Sequence, residues 1–281
     1  MAITNFIPTI WSENLLSSLD KQYIGVAHCN RDYEGEIKNI GSTVKICGVG
    51  SIDIGDYTKD TDMSAPQTLS DTVVELNIDR AKYFNFQVDD IDRTQCSPKL
   101  LDAAMKNAAS ALAGEADKYI YSLYYHACTT IISDYTSDST DPIIDNILKA
   151  REILCINGVQ DASDIVLEVS PEVATILMKE KADYVSFNND ILENGYIGSI
   201  AGCNVFVTNS IYKEGSTVVC HKCLVRTKRA IAFAEQLSEI IAYRPEKRFA
   251  DAVKGLHLYG AKVVYPNELV CIDVQLEGAD I

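Results

Sequence analysis

The chain has 281 residues, a formal net charge of −15, and 47% hydrophobic and 23% charged residues, which suits one large domain or two modest ones with enough apolar content to bury a core. Its acidic balance excludes a protein that grips nucleic acid with most of its surface, because phosphate neutralisation needs Lys and Arg, but leaves room for one that lives beside nucleic acid without binding it tightly. The longest purely apolar runs reach about a quarter of the ~20 residues a spanning helix needs, and residues 1–8 lack the basic region and unbroken apolar stretch of a signal peptide, so no membrane segment is expected.

The opening ~25 residues carry one amphipathic helix, with Trp11, Leu15 and Leu19 at i, i+4 and i+8 and with Leu16 and Tyr23 flanking that stripe. Behind an extended lead at residues 5–9, this short helix has too little core of its own and reads as an arm that docks on something else. Over residues 43–90 the pattern changes to alternation. Val44, Ile46, Ile52 and Ile54 run out to a polar tip at 56–66, and Val74, Leu76, Ile78, Phe84, Phe86 and Val88 run back. Two such legs predict a long β-hairpin, loosened by Gly48, Gly50 and Gly55. An isolated ribbon is marginal in water, so it is expected to lie against a neighbour.

Residues 98–126 predict a long helix, with Ser97 as its cap, Pro98 in its first turn and Gly114 as a place to bend. Leu100, Ala104, Ala108, Ala111, Leu112, Ala116, Tyr119, Ile120 and Leu123 follow its helical spacing. A loop rich in Ser, Thr and Asp over 133–141 hands over to an α/β stretch. There Asp141-Pro142 opens a helix with Ile143, Ile147, Ala150 and Leu154 on one face, stopped by Asn157-Gly158. Residues 165–169 read as a buried strand, Ser170-Pro171-Glu172 opens a helix to about Lys181, and 202–208 read as another strand. Two or three strands follow between Thr217 and Ala234, and long strand-like runs fill 240–274.

Nine cysteines stand at 29, 47, 96, 128, 155, 203, 220, 223 and 271. An odd count at irregular spacing, partly inside apolar runs, points to free and mostly buried thiols in a reducing compartment rather than to a disulfide framework. No phosphate-binding Walker loop, Gly-x-Ser-x-Gly elbow or His-Glu-x-x-His is present. Gly48-Val49-Gly50 lacks the third glycine of a dinucleotide fingerprint and reads as a flexible strand. Cys220-His221-Lys222-Cys223 admits three readings: incidental cysteines of a strand, half of a metal site completed in space by a residue such as His257, or a redox pair. The strand-like flanks favour the first. Asp89, Asp90 and Asp92 could hold a divalent cation, as could Asp134, Asp138 and Asp141, but such residues equally cap helices or face solvent. The histidines at 28, 126, 221 and 257 form no recognisable triad. Tyr119, Tyr121, Tyr124 and Tyr125 crowd the end of the long helix with no basic residues between them, which fits packing at an interface better than base stacking. No catalytic, cofactor-binding or metal-ligating residue is therefore assigned.

Charge is distributed unevenly. Residues 50–93 hold ten acids and four bases, whereas residues 222–262 hold nine bases and four acids. Opposite fields on separate segments suit a chain that meets copies of itself head to tail.

The order of arm, long hairpin, long helix, α/β region and closing strands resembles the major capsid proteins of tailed bacteriophages, an α+β architecture called the Hong Kong 97-type fold. Three stretches carry the likeness. Phe6-Ile7-Pro8-Thr9-Ile10-Trp11-Ser12 with Leu15-Leu16 is similar to the arm of such proteins. Ile200-Ala201-Gly202-Cys203-Asn204-Val205 with Thr208-Asn209 is similar to their A-domain strand. Phe249-Ala250-Asp251 with Gly255-Leu256-His257-Leu258-Tyr259-Gly260-Ala261 is similar to their closing P-domain strands.

The resemblance implies an N-terminal arm at 1–44, an E-loop hairpin at 45–95 reaching over an adjacent subunit, and a P-domain with its spine helix at 96–135. It further implies an A-domain at 136–238 and P-domain closing strands at 239–281. Function is then mechanical: hexamers and pentamers close into an icosahedral shell around packaged double-stranded DNA, without cofactor or catalysis. The implied partners are further copies of the chain, a portal, a scaffolding protein and, in some relatives, a decoration protein. The implied location is the virion capsid, assembled in the host bacterial cytoplasm. Lys59 sits near the hairpin tip, but no partner Asn matches, so the crosslinking chemistry of one branch is not carried over. Two other readings stand beside this one: an encapsulin nanocompartment shell with protein cargo, and a cytosolic metal-dependent hydrolase using Asp89, Asp90 and Asp92.

Overall fold

A computed structural model describes residues 22–33, 43–49, 71–89, 99–136, 139–140, 142–159, 164–184, 196–237, 241–246 and 250–277, together with Leu19 and Lys59. Most of the expected arm and the hairpin tip lie outside the described residues; of the arm's apolar stripe, Leu19 and its flanking Tyr23 are described, and both are buried.

The alternation at Val44 and Ile46 forms β1 (Thr43–Val49), which pairs antiparallel with β2 (Asp71–Asn77), Thr43 facing Asn77 and Val49 facing Asp71. The return leg does not run on as expected. At Ile78-Asp79 the chain leaves the ribbon, and β3 (Arg80–Asp89) pairs along its whole length with β13 (Ala250–Val263), Arg80 opposite Tyr259 and Asp89 opposite Ala250. Phe84, Phe86 and Val88 thus belong to a different sheet from Val74 and Leu76. Alternation records which face a side chain takes, not which strand lies alongside.

The long helix α1 (Lys99–Tyr121) passes unbroken through Gly114 and tightens into a 3₁₀ turn at Ser122–His126. Ser97 and Pro98 lie outside the described residues. The buried stripe of α1 is Ala109, Leu112, Ala113, Ala116 and Ile120, while Ala111 faces solvent. The predicted loop at 133–141 is corrected: β4 (Thr129–Thr136) runs through its first part and β5 (Ser139–Thr140) folds back on it. Ser133 is fully buried there, and Ile131 and Tyr135 pack on the core, because β4 lies parallel to β14 (Leu269–Glu277) and inherits its covered face. Polar composition concealed a strand whose inward positions are one residue in two.

The α/β stretch follows the sequence pattern closely. Helix α2 (Ile143–Ile156) buries Ile143, Ile147, Ala150 and Leu154. Then come β6 (Ile165–Val169), α3 (Pro171–Tyr184), β7 (Tyr196–Ile200) and β8 (Cys203–Val207). After the short β9 (Lys213–Glu214) the chain forms β10 (Val218–Thr227), β11 (Ile231–Leu237) and β12 (Ile241–Tyr243).

Two sheets organise these elements. The larger has the order β5-β4-β14-β10-β6-β8-β7, with β9 beside β10; α2 and α3 cover one face with Ile147, Leu154, Val173 and Leu177 against Leu167, Val205, Val225 and Ile272. In the smaller, β13 is flanked by β3 on one edge and by β11 and β12 on the other. One face of β13 receives α1 through Val253, Tyr259 and Ala261. The other, at Leu258, receives the base of the ribbon through Val44, Ile46, Leu76 and Ile78. The ribbon base therefore rests on its own chain. It crosses so closely that a Cβ at Gly260 would lie 2.2 Å from the Asn77 carbonyl oxygen, which is why the strand carries glycine there.

Candidate functional site

Under α1, between the two sheets, residues 22–33 are held by charged groups that the apolar patterns did not announce. Glu168 sits in β6 on the side away from α2 and α3, and Arg226 sits on the same side of β10; both are fully buried. The guanidinium meets the carboxylate bidentately, Nε to Oε2 at 2.9 Å and Nη2 to Oε1 at 2.9 Å. Its remaining N–H groups donate to the carbonyls of Gly25, at 2.8 Å, and His28. His28 Nδ1 lies 3.1 Å from Glu168 Oε1, and its ring lies against Phe206 at 4.2 Å between centroids. From α1, Asp117 accepts the backbone N–H groups of Ile24 (3.1 Å) and Val26 (3.0 Å). A Cβ at Gly25 would lie 2.9 Å from Tyr121 Oη and 3.1 Å from Asp117 Oδ1, so any larger residue here would have to displace these buried side chains.

A second carboxylate, Glu235 of β11, anchors both ends of the same segment. Tyr23 Oη donates to it at 2.5 Å, Arg31 Nη2 donates at 2.6 Å, and His257 Nε2 lies 2.8 Å away. Backbone bonds complete the attachment, Asn30 N–H to Ile231 and Phe233 N–H to Asn30. Burial alone would raise the Glu235 pKa, yet the hydrogen bonds from His257 and Tyr23 hold it below the ordinary carboxylate range. For Asp117 burial prevails over the two backbone donors, and its pKa is pushed up to about 6. Elementary rules would have flagged these groups: a Glu inside Ile-Val-Leu-Glu-Val and an Arg inside Cys-Leu-Val-Arg-Thr need partners once the strands are buried. What the sequence does not give is the pairing of 168 with 226, or of both with residues 25–28.

The other candidates separate in space. Cys220 and Cys223 are three apart on β10 and project to opposite faces; Cys223 is buried on the α2 side and Cys220 is half-buried on the other. They cannot share a metal or form a redox pair, and His257 is committed to Glu235. Burial pushes the thiols of Cys29 and Cys203 up to about 11 and those of Cys223 and Cys271 up to about 12, which makes them packing residues rather than nucleophiles. Cys29, Cys128, Cys155, Cys203, Cys220, Cys223 and Cys271 are all free. Asp89 ends β3, and Asp90 and Asp92 lie outside the described residues, as do Asp138 and Asp141. Among the described residues no group of three or more His, Cys, Asp or Glu side chains could hold a metal ion. His221 bonds Ser170 at 2.9 Å, and His126 is exposed.

The tyrosines divide. Tyr121 is buried, Tyr119 meets Tyr259 edge-on at 5.7 Å, Tyr124 stacks on Tyr212 at 5.2 Å, and Tyr125 is exposed. Basic groups absent between them in sequence do approach them in space: Arg80 stands 4.8 Å over Tyr119 and Lys222 stands 5.5 Å over Tyr124. The charge reading is also sharpened. Lys222 pairs with Asp273 at 2.7 Å, Arg226 with Glu168 and Arg229 with Glu268 at 2.7 Å, so at least three of the nine bases at 222–262 are neutralised within the chain. The arrangement among the described residues is that of a scaffold, in which polar groups fix segments to one another.

Residues 36–275 match the family model described as phage capsid protein, and the chain belongs to that family. A protein of Mycobacterium phage Che8 is similar over 89% of this chain and 91% of its own, at 28% identity and a TM-score of 0.70. Two further structures share the fold. The capsid of Ralstonia phage GP4 covers 93% of this chain and 91% of its own at 11% identity and a TM-score of 0.67. A virus-like particle from Pyrococcus furiosus covers 92% and 96% at 12% identity and a TM-score of 0.53. A search of curated proteins gives no match. The chain is thus a structural capsid protein and not an enzyme, which sets aside the hydrolase reading of Asp89, Asp90 and Asp92.

Proposed function

We propose that the chain is the major capsid protein of a tailed bacteriophage, assembling into hexamers and pentamers of an icosahedral shell that encloses double-stranded DNA. The observation that carries this reading is the Che8 superposition, which spans nine-tenths of both chains and therefore includes arrangement as well as motif. The encapsulin reading stands second, since the family model that residues 36–275 match is described as phage capsid protein.

In this reading the ribbon of β1 and β2 is the root of the E-loop, which reaches over an adjacent subunit. The small sheet with α1 is the P-domain, and the large sheet with α2 and α3 is the A-domain. Pairing between strands supports moving the boundaries drawn from sequence: 80–89 and 231–237 join the P-domain, while 129–136 and 269–277 join the A-domain sheet. The acidic tip, with Asp53, Asp56, Asp60 and Asp62, meets cations of a neighbouring copy; Lys228 and Lys262 of the basic segment stay exposed for that purpose. Tyr83, 78% exposed, lines a groove of about 350 Å³ with Phe84, Ile241 and Leu256, an apolar surface that a further copy covers. Portal, scaffolding and, where present, decoration proteins are the remaining partners, and DNA is enclosed without tight binding by an acidic wall. The particle forms in the host cytoplasm.

Co-expression with the scaffolding protein of its own phage, followed by sedimentation and negative-stain microscopy, tests this. Closed shells are expected, filled with DNA only when portal and packaging motor are supplied. Monomers and dimers alone overturn the shell, and shells that load a tagged protein instead of DNA transfer the chain to the nanocompartment class.

A further inference from the structure

β3 is an edge strand. β13 pairs with it along its whole length on one side, and among the described residues no strand pairs with it on the other. On that open side every second residue points its N–H and C=O outward, which makes a template for another strand. Soluble proteins blunt such edges with charge, proline, a bulge or a short strand. Between Tyr83 and Val88 this strand uses none of them: the run is Tyr-Phe-Asn-Phe-Gln-Val, and its register with β13 is unbroken. Ala81, Tyr83, Asn85 and Gln87 are exposed, and the apolar groove at Leu256 and Ile241 reaches this edge through Tyr83 and Asn85. Every other described strand with an open side is shorter, so only a second β3 matches this one from end to end.

We propose that β3 pairs antiparallel with β3 of a second copy across a two-fold axis, so that the small sheet of one subunit continues into that of the next. The inference rests on the reading that the chain assembles with copies of itself. Phe84 and Phe86 turn to α1, while Tyr83 and Asn85 line the groove on the other face. A two-fold normal to the sheet keeps those faces, so residues opposite one another are both even or both odd in number. With Phe84 on the axis, Asp79 would meet Asp89; with Phe86 on the axis, only positions 83–89 would pair. With Asn85 on the axis, positions 81–89 pair, Phe84 stands opposite Phe86 and Tyr83 opposite Gln87. Position 89, an aspartate, then comes opposite Ala81, between Arg80 and Lys82 of the other copy. Parallel pairing would instead bring each cationic end to its twin. Lys82 already bonds Glu115, and Arg80 lies 3.9 Å from Asp79, so these charges set direction more than strength. The contact is isologous and closes after one pair, which covers the edge without seeding a fibre.

Hydrogen exchange resolved to single amides, on the dilute full chain and on the assembly it forms with its scaffold, reads the edge. Every second amide between Ala81 and Val88 should exchange freely in the monomer and slow about tenfold or more in the assembly, while the amides bonded to β13 stay level. Asn85→Cys sets two thiols opposite each other on the axis, with Cβ atoms about 4.5–5.5 Å apart. Diamide should then give a dimer joined through position 85, identified by its linked peptide, which separates it from any link through the exposed Cys128 or Cys155. Gln87→Cys leaves its twins about 13 Å apart and should give no link through position 87. Shells whose β3 amides all stay fast overturn the edge pairing and leave the shell reading intact. A chain that stays monomeric overturns both. Slowed amides without the 85–85 link, or with a link through position 87, overturn the same-strand partner and hand the edge to another strand, such as the ribbon of a neighbour.

Discussion

The chain has two cores built on opposite principles. Under α2 and α3, Ile147, Ala150, Leu154, Leu167, Val205, Val225 and Ile272 pack against one another, and each lies where local periodicity puts it. Under α1, Leu112, Ala116, Ile120, Phe233 and Tyr259 share the interior with Glu168, Arg226, Asp117, Glu235 and His257. The first core joins elements that are neighbours in sequence. The second joins residues 22–33 to strands some 140 to 212 positions away, where non-directional burial alone would not fix one approach among many. Apolar contact suffices to stack a helix on a sheet. Seating a short segment of little regular structure takes directional bonds to its backbone, and that is where Arg226, Asp117 and Glu235 are spent.

The largest test of this contrast removes the guanidinium. Arg226→Met leaves Glu168 buried beside His28 without its guanidinium and removes the side-chain donor from the His28 and Gly25 carbonyls, and should lower unfolding free energy by about 3–5 kcal/mol in chemical denaturation. Pairing it with Glu168→Leu removes the stranded charge as well. Were the ion pair alone at stake, the double variant would return to wild type. The His28 carbonyl still lacks its guanidinium donor and that of Gly25 keeps only the local His28 N–H and Cys29 S–H, so a deficit of about 1–3 kcal/mol should persist. Full recovery would show that the segment is not seated by these bonds.

Leu154→Ala probes this core at a site with no exposed surface, packed among the apolar residues under α2 and α3. It should cost about 2–5 kcal/mol, set by the cavity it leaves, and the loss should not vary between pH 5 and 8. A pH-dependent loss would mean that the two cores are coupled. Tyr23→Phe comes next: it deletes the hydroxyl that donates to Glu235 while His257 and Arg31 still satisfy that carboxylate, so about 1–2 kcal/mol is expected from denaturant midpoints.

How much of this was legible follows from the same division. The periodicity at 143–154 and the run at 165–169 gave α2, β6 and their buried faces, because each element's inward residues recur at its own spacing. The order of elements was also enough to suggest the capsid family. Three things were not legible. β3 continues the alternation of β2 although its partner, β13, lies about 170 residues later. β4 hides an inward face behind Ser, Thr and Asp. The polar enclosure draws single residues from separate stretches, and each alone reads as an ordinary charge in a strand or helix.

The smallest effect is expected at the surface. Lys82 on β3 and Lys118 both bond Glu115 of α1, at 2.9 and 3.1 Å, with side chains that remain 42–62% exposed. The two lysines share one carboxylate, which both hold below its ordinary pKa. Removing one of them leaves Glu115 paired with the other, and water replaces what is lost. Lys82→Ala should therefore change stability by no more than about 1 kcal/mol at low salt, and by less at 1 M salt, where the screening length is about 3 Å. A loss comparable with that of Arg226→Met, or one that persists at 1 M salt, would mean that β3 is fastened to α1 by charge rather than by Phe84 and Phe86 against the core. The contrast between buried and exposed ion pairs in this fold would then fail at its simplest case.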